Sequence, residues 1–290
     1  MTRILLIGKN GQVGYELERS LQSLGDVIAL DRAQLDLSDV DRIREIIRTL
    51  KPTLIVNAAA YTAVDKAESE PDLALRINAT APGVMADEAK KIGAGIVHFS
   101  TDYVFNGAKA SPYAEDDLPD PINVYGRSKL AGEQAVQASG AAHLILRTSW
   151  VYGMRGKNFL RTILRLAAEK DELRIVADQF GAPTWSRTIG DTTANILGQL
   201  RTAGGTFAGL EQASGIYHLS AQGRTNWHEF ASAIVTNAAL GKMPRITAIG
   251  SDEYPTPARR PMNSMLSCDK LTQRFCALPA WDLALRLCQE

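Results

Sequence analysis

The sequence is poor in the features that mark secreted and membrane proteins. Its 290 residues include three cysteines, Cys268, Cys276 and Cys288, all in the last tenth of the chain. An odd number of cysteines without a C-x-x-C spacing argues against a disulfide framework. No apolar run approaches the ~20 residues of a membrane span, and the run after Arg3 is too short for a signal peptide. We therefore expect a cytoplasmic protein that does not contact a membrane.

An excess of charge is also missing, because Lys+Arg and Asp+Glu both total 32. Binding to a nucleic-acid backbone needs a basic surplus, so we expect no nucleic-acid partner. The four histidines, His98, His143, His218 and His228, show no ligand spacing. We interpret His98, which lies in an apolar run, as a core histidine, and we predict no metal site.

The first 150 residues alternate between two patterns. Apolar runs typical of buried strands lie at 3–7, 27–30, 53–56, 95–99 and 143–146. Stretches with helical periodicity lie at 12–23, 39–50, 72–92 and 125–139. Strict alternation indicates a parallel sheet with right-handed crossovers. We predict an α/β fold in which residues 1–150 form an NAD(P)-binding domain, a Rossmann-type doubly wound parallel sheet.

The second half is less regular. The pattern predicts helices at 157–170, 187–200 and 226–240, the last of them capped by Asn226. "GIYHLS" (215–220) is typical of a sixth strand that returns to the sheet, whereas the three prolines within 254–264 exclude regular structure there. We predict a smaller, partly discontinuous C-terminal α/β substrate domain over 151–290, with the chain returning to the first domain around 187–220.

A glycine loop follows the first strand, with glycines at Gly8, Gly11 and Gly14. A tight turn needs freedom in φ, a second glycine lets the backbone approach a diphosphate, and a third lets the helix pack closely on the strand. The backbone N–H groups at the helix N-terminus then face the anion. This placement favours a dinucleotide site over a plain tight turn.

The residues after the second and third strands bear on the choice of cofactor. Asp31 can accept a hydrogen bond from a ribose 2′-hydroxyl, which favours NADH. Lys9 and Arg32 can contact a 2′-phosphate, which favours NADPH, so we expect both cofactors to be used. Asp36-Leu37 lies where an adenine edge can rest. The alanines in "VNAAAYTAVD" (56–65) either admit a planar group or pack a helix on the sheet.

The fourth strand ends in Ser100-Thr101-Asp102, and ligands bind at the carboxyl ends of such strands. Tyr125 and Lys129 lie one helical turn apart. An ammonium group beside a phenol lowers the phenol pKa, and a fall from ~10 to near 7 needs about 4 kcal/mol. The tyrosine then protonates a carbonyl oxygen as hydride arrives, while Thr101 hydrogen-bonds the same oxygen. A Y-x-x-x-K alone is usually a solvated helix face; the glycine loop upstream favours the catalytic interpretation.

Several stretches resemble one branch of a known family. They are "GQVGYEL", "VNAAAYTAVDKAE", "STDYVFNG", "NVYGRSKLAGE", "LRTSWVYG", "DQFGAPT" and "PTPARRPMNS". Together they are similar, essentially from end to end, to the dTDP-4-dehydrorhamnose reductases of the extended short-chain dehydrogenase/reductase family. The resemblance implies reduction of the C4 ketone of dTDP-4-dehydrorhamnose by NADPH or NADH to give dTDP-L-rhamnose.

The resemblance also assigns roles. It makes Tyr125 the proton donor, while Lys129 orients the cofactor and the tyrosine, and Thr101 tunes the substrate contact. The cofactor contacts it implies are Gly11, Gln12, Val13, Asp31, Asp36, Leu37, Ala60, Tyr61 and Thr62, together with Tyr125 and Lys129. Thr101, Asp102 and Trp150 would touch the sugar.

The second half supplies candidates for the rest of a nucleotide sugar. Trp150 can stack on a deoxysugar face, with a core tryptophan as the alternative. Gln179 and Phe180 suit a nucleotide base and ribose, unless their segment is a plain loop hairpin. Arg259 and Arg260, in the proline-stiffened loop, suit a diphosphate, and an exposed arginine pair is the alternative.

Other interpretations stay open. A related nucleotide-sugar 4-ketoreductase or epimerase would use a similar set of residues. A non-catalytic regulatory subunit of the same fold is a third interpretation, and the intact Thr101, Tyr125 and Lys129 argue against it. Some relatives pair through magnesium held by glutamates; Glu16 matches the first of these, but 186–190 contains no carboxylate. We therefore predict no metal, and a homodimer is left open.

Overall fold

The computed structural model describes residues 2–238, 241 and 243–290. Its strands, in chain order, are β1 (Arg3–Ile7), β2 (Asp26–Leu30), β3 (Leu54–Asn57), β4 (Gly95–Thr101), β5 (His143–Thr148), β6 (Val151–Tyr152), β7 (Glu172–Val176), β8 (Phe180–Gly181), β9 (Thr184–Trp185), β10 (Gly215–His218), β11 (Thr225–Asn226) and β12 (Arg245–Ile249). Its α-helices are α1 (Gln12–Ser20), α2 (Val40–Leu50), α3 (Val64–Ala67), α4 (Pro71–Leu75), α5 (Ala81–Ile92), α6 (Val124–Ala138), α7 (Phe159–Glu169), α8 (Ser186–Leu200), α9 (Gly209–Ala213), α10 (Trp227–Asn237), α11 (Asp269–Arg274) and α12 (Trp281–Gln289). Of these described helices, none is long and apolar enough to cross a membrane.

Six strands form one parallel sheet in the order β10-β5-β4-β3-β1-β2. The six strands predicted from apolar runs all belong to it, including the sixth at 215–220, and the predicted Rossmann-type fold is confirmed. From β1 the chain goes outward to β2 and then returns to β3 on the other side. The carboxyl ends of β1 and β3 therefore border the crevice where doubly wound sheets bind ligands.

Both faces of the sheet are covered, which explains why its strands are continuously apolar rather than alternating. Successive side chains of a strand point to opposite faces. Accordingly Ile4 and Leu6 join one buried cluster, which includes Leu17 of α1. Leu5 and Ile7 join the other, which includes helix residues of α2 and α5. The first cluster also contains side chains of α8, so the chain beyond residue 186 packs on the same sheet.

The helix predicted at 72–92 is interrupted by a wider π turn at Arg76–Thr80. The turn presents Asn78, whose amide exchanges hydrogen bonds with the backbone of Tyr61 (2.8 and 3.0 Å) and donates to Ser128 Oγ (2.9 Å). π turns are frequent where a side chain has a positioning task. Asn226 caps α10 as predicted, accepting from Glu229 N at 2.8 Å. The predicted end of that helix, at 239–240, lies outside the described residues.

The second half has its own buried cluster, built by β6, α7, β7, α10 and α12 around Tyr152 and Phe230. Short strand pairs lie beside it: β7 with β12 and β6 with β9, both parallel, and β8 with β11, antiparallel. Residues 254–264 contain no helix or strand, as their prolines predicted. The domain boundary at residue 150 stays a prediction.

A buried ion pair joins α6 to the sheet. Glu133 of α6 accepts two hydrogen bonds from Arg147 of β5, at 2.9 and 2.7 Å, and each side chain is 1% exposed. The guanidinium also lies 5.1 Å from the centre of the Phe105 ring. A pair this deep stabilises only while it is complete, because removing one partner leaves an uncompensated charge.

We expect Glu133→Gln to lower the free energy of unfolding by about 3 kcal/mol or more, because Arg147 then stays buried without a counter-charge. Urea denaturation of the two proteins measures the difference. The matched control is Glu169→Gln, which breaks the exposed pair with Arg165 and should cost at most about 1 kcal/mol. Equal losses in the two variants would contradict the assigned role of the buried pair.

Candidate active site

A cavity of about 550 Å³ opens at the carboxyl ends of the parallel strands. The predicted cofactor residues that line it are Gly8, Gly11, Gln12, Val13, Asp31, Asp36, Leu37, Ala60, Tyr61, Thr62, Tyr125 and Lys129. Residues that sequence reasoning missed line it too, among them Thr148, Gly156 and Lys157. The cavity therefore unites the ends of five strands with the beginning of α6.

The glycine loop shapes one wall of this cavity. Gly8 has φ +94°, and a Cβ there would lie 2.9 Å from Ala59 N. A Cβ on Gly14 would lie 2.1 Å from Gly8 O, so Gly14 serves the turn itself rather than the cavity surface. Gly11 begins α1 without a side-chain cap, and a Cβ on it would meet only Gly8 O, at 3.3 Å. The open N-terminus of α1 fits a cofactor diphosphate.

Residues near the end of β2 include a possible acceptor for a ribose 2′-hydroxyl and possible cations for a 2′-phosphate. Asp31 accepts a hydrogen bond from Asn10 Nδ2 at 3.2 Å, and Lys9 Nζ lies 3.8 Å from its carboxylate. Arg32 is largely exposed and lies 3.5 Å from the Asp36 carboxylate. The pKa of Asp36 is lowered, mainly by the hydrogen bond from the backbone of Ser38. An acceptor for a ribose hydroxyl therefore lies close to two cationic side chains, Lys9 and Arg32.

The backbone of Ala60, Tyr61 and Thr62 forms the wall after β3. The Tyr61 hydroxyl donates to Glu70 at 2.6 Å, and this bond is the main cause of the raised pKa of Tyr61. The Tyr61 hydroxyl is therefore bound within the protein rather than free for a cofactor.

Two buried hydroxyls at the inner end of the cavity need partners. Ser100 Oγ and Thr148 Oγ1, at the ends of β4 and β5, have no hydrogen-bond partner among the described residues. Buried polar atoms are normally satisfied. Both side chains line the cavity beside Tyr125 and Lys129. This end of the cavity therefore fits a ring with a polar substituent, such as a nicotinamide with its carboxamide.

The structure brings Thr101 and Tyr125 together, as the sequence predicted. Thr101 ends β4 and is buried; its hydroxyl donates to Asp102 Oδ1 at 2.9 Å and accepts from Tyr103 N at 3.2 Å. The Tyr125 hydroxyl lies close enough to Thr101 for that side chain to lower the Tyr125 pKa. Asn123 places the tyrosine by capping α6, accepting from Gly126 N at 2.7 Å.

The predicted fall in the Tyr125 pKa is wrong in this structure. Burial raises the pKa of Tyr125, the charge of Asp102 raises it further, and only the hydrogen bond with Thr101 lowers it. Lys129 is 1% exposed, donates to Phe99 O at 2.6 Å and lies 3.2 Å from His98 Nε2. Burial lowers the Lys129 pKa to about 8. The lysine is held by β4, and its charge is not among the causes that set the Tyr125 pKa.

Asp102 is the second unusual acid of the site. It is 2% exposed, and burial is the main reason its pKa is raised to about 6. Thr101 binds its Oδ1, while Oδ2 has no partner within hydrogen-bond distance among the described residues. The hydroxyls of Ser149 and Ser264 lie near enough to lower the pKa slightly. A carboxyl group with one free oxygen stands beside the proposed proton donor.

On the substrate side, Trp150 adopts φ +47° and stacks on Trp227, with ring centres 3.5 Å apart. Trp227 Nε1 donates to Gln179 Oε1 at 3.3 Å. The Phe180 ring lies 3.9 Å from the guanidinium of Arg224. The structure thus joins Trp150 and Gln179 through Trp227, which sequence reasoning missed; its place directly after the Asn226 cap was the only signal.

The two arginines of the proline-rich loop differ. Arg260 is 19% exposed, and it donates to Asp65 Oδ2 and to Ala258 O, both at 2.9 Å. Arg259 is exposed, and its carbonyl accepts from Asn123 Nδ2 at 2.8 Å. The loop is therefore tied to the start of α6, but only Arg260 has a fixed guanidinium.

Across residues 2–238, 241 and 243–290, no group of three or more His, Cys, Asp or Glu side chains could hold a metal ion. Glu16 has a raised pKa, mainly from burial, and it lies near the charges of Arg187 and Asp191.

Comparisons agree with this geometry. The family model for the RmlD substrate binding domain matches residues 1–290. The chain is 50% identical to a dTDP-4-dehydrorhamnose reductase of Burkholderia thailandensis (99% of this chain, 97% of the relative) and 46% identical to that of Escherichia coli K12 (98% and 95%). The crystal structure of the Bacillus anthracis dTDP-4-dehydrorhamnose reductase in complex with NADP superposes with a TM-score of 0.90 at 34% identity, covering 99% of each chain. With a family model over its whole length and relatives at this identity, the chain belongs to the dTDP-4-dehydrorhamnose reductase family.

Proposed function

We propose that this protein reduces the C4 ketone of dTDP-4-dehydrorhamnose (dTDP-4-dehydro-6-deoxy-L-mannose) to give dTDP-L-rhamnose. The observation that carries the proposal is the juxtaposition of Thr101, Tyr125 and Lys129 at one end of a cavity shaped by the glycine loop. This arrangement stands in a chain that matches dTDP-4-dehydrorhamnose reductases along nearly its whole length. When bound, NADPH or NADH supplies the hydride for C4.

Tyr125 holds the proton that the ketone oxygen takes up. Its raised pKa keeps the hydroxyl protonated at neutral pH. As hydride reaches C4, the carbonyl oxygen becomes an alkoxide far more basic than a phenolate, so the proton passes to it. The Thr101 hydroxyl donates to Asp102 Oδ1 in this structure, and it turns from Asp102 to the ketone oxygen when the sugar is bound. Lys129 lines the cavity one turn further along α6 and orients the cofactor.

The substrate lies on the side of the second half. Trp150 and the free carboxyl oxygen of Asp102 contact the sugar. Gln179 and Phe180 contact the base and ribose, and Arg260 binds the diphosphate, with Arg259 near the solvent edge. The fixed guanidinium of Arg260, held by Asp65, supports its role because a pre-oriented fork loses little entropy on binding.

We propose that the enzyme works in the cytoplasm. Cys268, Cys276 and Cys288 are all free thiols, and burial raises the pKa of Cys268 and of Cys288 to about 12. Unreactive, unpaired cysteines suit the reducing cytoplasm. Some relatives pair through magnesium held by glutamates, of which only Glu16 is matched here, so a homodimer is left open; sedimentation of the purified protein measures the assembly.

We expect Tyr125→Phe to lower kcat by about 10²-fold or more, because the variant has no proton to give, while its affinity for NADPH stays unchanged. The assay follows NADPH oxidation with dTDP-4-dehydrorhamnose and identifies the product by NMR. The control is Tyr217→Phe, which removes a buried hydroxyl bound to Ala213 O, outside the cavity. Full activity in Tyr125→Phe, or a C4 epimer as product, would rule out the proposal.

We expect Arg260→Ala to raise the KM for the nucleotide sugar by about tenfold or more, with a smaller change in kcat. The guanidinium binds a diphosphate that does not react, so its contribution is similar in the ground and transition states. Arg259→Ala, which removes an exposed side chain, should change KM by less. A loss of kcat alone in Arg260→Ala would contradict the diphosphate role.

We expect kcat/KM for NADPH and for NADH to differ by less than about 100-fold, since Asp31 favours a ribose hydroxyl while Lys9 and Arg32 favour a phosphate. Steady-state kinetics with each cofactor provides the ratio. Asp31→Ala should shift the ratio toward NADPH, because the carboxylate repels the 2′-phosphate. A preference above that bound in the wild type would show that one of the two signals is inactive.

A further inference from the structure

The segment 153–158, between β6 and α7, lies against the beginning of α1. Gly156 and Lys157 line the cavity together with Gln12, the first residue of α1. Asn158 Nδ2 donates to Gln12 Oε1 at 2.8 Å, and a Cβ on Gly156 would lie 3.3 Å from Gln12 Cγ. The second half of the chain therefore supplies part of the cavity wall beside the open N-terminus of α1.

A network of hydrogen bonds fixes the shape of this segment. Asn158 caps α7 by accepting from Arg161 N at 3.1 Å. Its Nδ2 also donates to Gly153 O at 2.8 Å and to Arg155 O at 2.9 Å. Arg161 Nη1 donates to Gly156 O at 2.8 Å, and Gly156 has φ +72°, which a side chain would strain. The conformation of the segment is therefore set by its own contacts.

Stacked side chains join the segment to α1. The Arg155 guanidinium lies 3.6 Å from the centre of the Tyr15 ring, and the Arg19 guanidinium lies 3.3 Å from the same centre. Two groups at these distances cannot share one face of a ring, so Arg155 and Arg19 cover opposite faces. Tyr15 and Gln12 both belong to the first turn of α1. The stack and the bond from Asn158 to Gln12 therefore hold the segment at the same turn of the helix.

Of the three cationic side chains that line the cavity, Lys157 alone has no hydrogen-bond or ion-pair partner among the described residues. Arg32 lies beside the carboxylate of Asp36, and Lys129 is buried and donates to Phe99 O. Lys157 is exposed, while the contacts of its neighbours in the segment fix its backbone. Its ammonium group is therefore available to an anion that enters the cavity.

We propose that Lys157 is a cofactor-binding residue, whose ammonium group pairs with the diphosphate of NADPH or NADH at the N-terminus of α1. Asn158 is a positioning residue, which holds the segment against Gln12 for that contact. The proposal rests on the proposed function, because it takes the dinucleotide to be the ligand of the cavity. A lysine ammonium is a compact point charge that suits a phosphate, and it adds to the attraction of the helix N–H groups.

The position of the segment selects the diphosphate over the 2′-phosphate of NADPH. The segment contacts the first turn of α1, where the backbone N–H groups that follow a glycine loop face the diphosphate. The 2′-phosphate belongs at the end of β2, beside Asp31 and Arg32, and β2 is the outermost strand of the sheet. Lys157 should therefore contribute equally to the binding of NADPH and of NADH, unlike the cations at the end of β2.

The first test is calorimetric titration of each cofactor, without the sugar, into wild-type protein and Lys157→Gln. We expect the variant to raise the Kd of NADPH and that of NADH by a similar factor, about threefold or more, because both contain the diphosphate. Lys90→Gln is the matched control and should leave both Kd values unchanged, since Lys90 is exposed at the end of α5 and has no ion pair among the described residues. A rise for NADPH alone, or a change no larger than in Lys90→Gln, would overturn the proposal.

Fragments of the cofactor locate the contact. ADP-ribose contains the diphosphate but no 2′-phosphate, so its Kd should rise in Lys157→Gln as that of NADPH does. Adenosine 2′-monophosphate contains the 2′-phosphate but no diphosphate, so its Kd should stay the same. The reverse pattern would assign Lys157 to the ribose corner and refute the diphosphate contact. If wild-type protein binds both dinucleotides but does not reduce the sugar, the proposed function fails, whereas these Kd values still decide the role of Lys157.

A double-variant cycle tests the positioning role of Asn158. Asn158→Ser keeps a side chain that caps α7 but removes the amide group that binds Gln12. We expect it to raise the NADPH Kd by about twofold or more in wild-type protein and by less in Lys157→Gln, because it acts through Lys157. Thermal denaturation checks that each variant is folded. Equal effects of Asn158→Ser in the two backgrounds would show that it does not act through Lys157.

Discussion

The position of α6 against the sheet is the constraint on which the site depends. Three buried contacts set it: the paired hydrogen bonds of Glu133 and Arg147, the bond from Lys129 to the β4 backbone, and the bond from Asn78 to Ser128. All three involve polar side chains, and each is directional where apolar packing is not. They fix both the height and the rotation of the helix, so that Tyr125 meets Thr101 at the end of β4.

The same burial that fixes the helix decides the protonation of the site. The pKa of Tyr125 is raised, that of Lys129 is lowered to about 8, and that of Asp102 is raised to about 6. In each case removal from water is the largest cause, and it favours the uncharged form. The pKa values of Asp102 and Lys129 are therefore both displaced toward neutrality, while Tyr125 stays protonated.

Much of this architecture follows from the sequence, and the reasons for the exceptions are physical. Apolar runs predicted the six strands because strands covered on both faces are mostly apolar. The glycine loop was readable because Gly8 and Gly14 have no room for a side chain. The effect of Lys129 on the Tyr125 pKa was misjudged. The spacing of two residues shows that they share a helix face, but it does not show how deeply that face is buried. Trp227 was missed because its partner, Trp150, is remote in sequence. The π turn at Arg76–Thr80 was missed because a helical sequence pattern tolerates one extra residue.

The indole stack has a mechanical consequence. Trp150 has a left-handed backbone that a bulky residue rarely adopts, and a ring that Trp227 covers on one face and that lies against Gly181. Trp227 begins α10, and α10 carries Phe230 into the cluster that holds the second half together. Moving the Trp150 ring would therefore break its stack on the first residue of α10. A ligand that displaces this ring is expected to disturb α10 and, through Phe230, the packing of the second half.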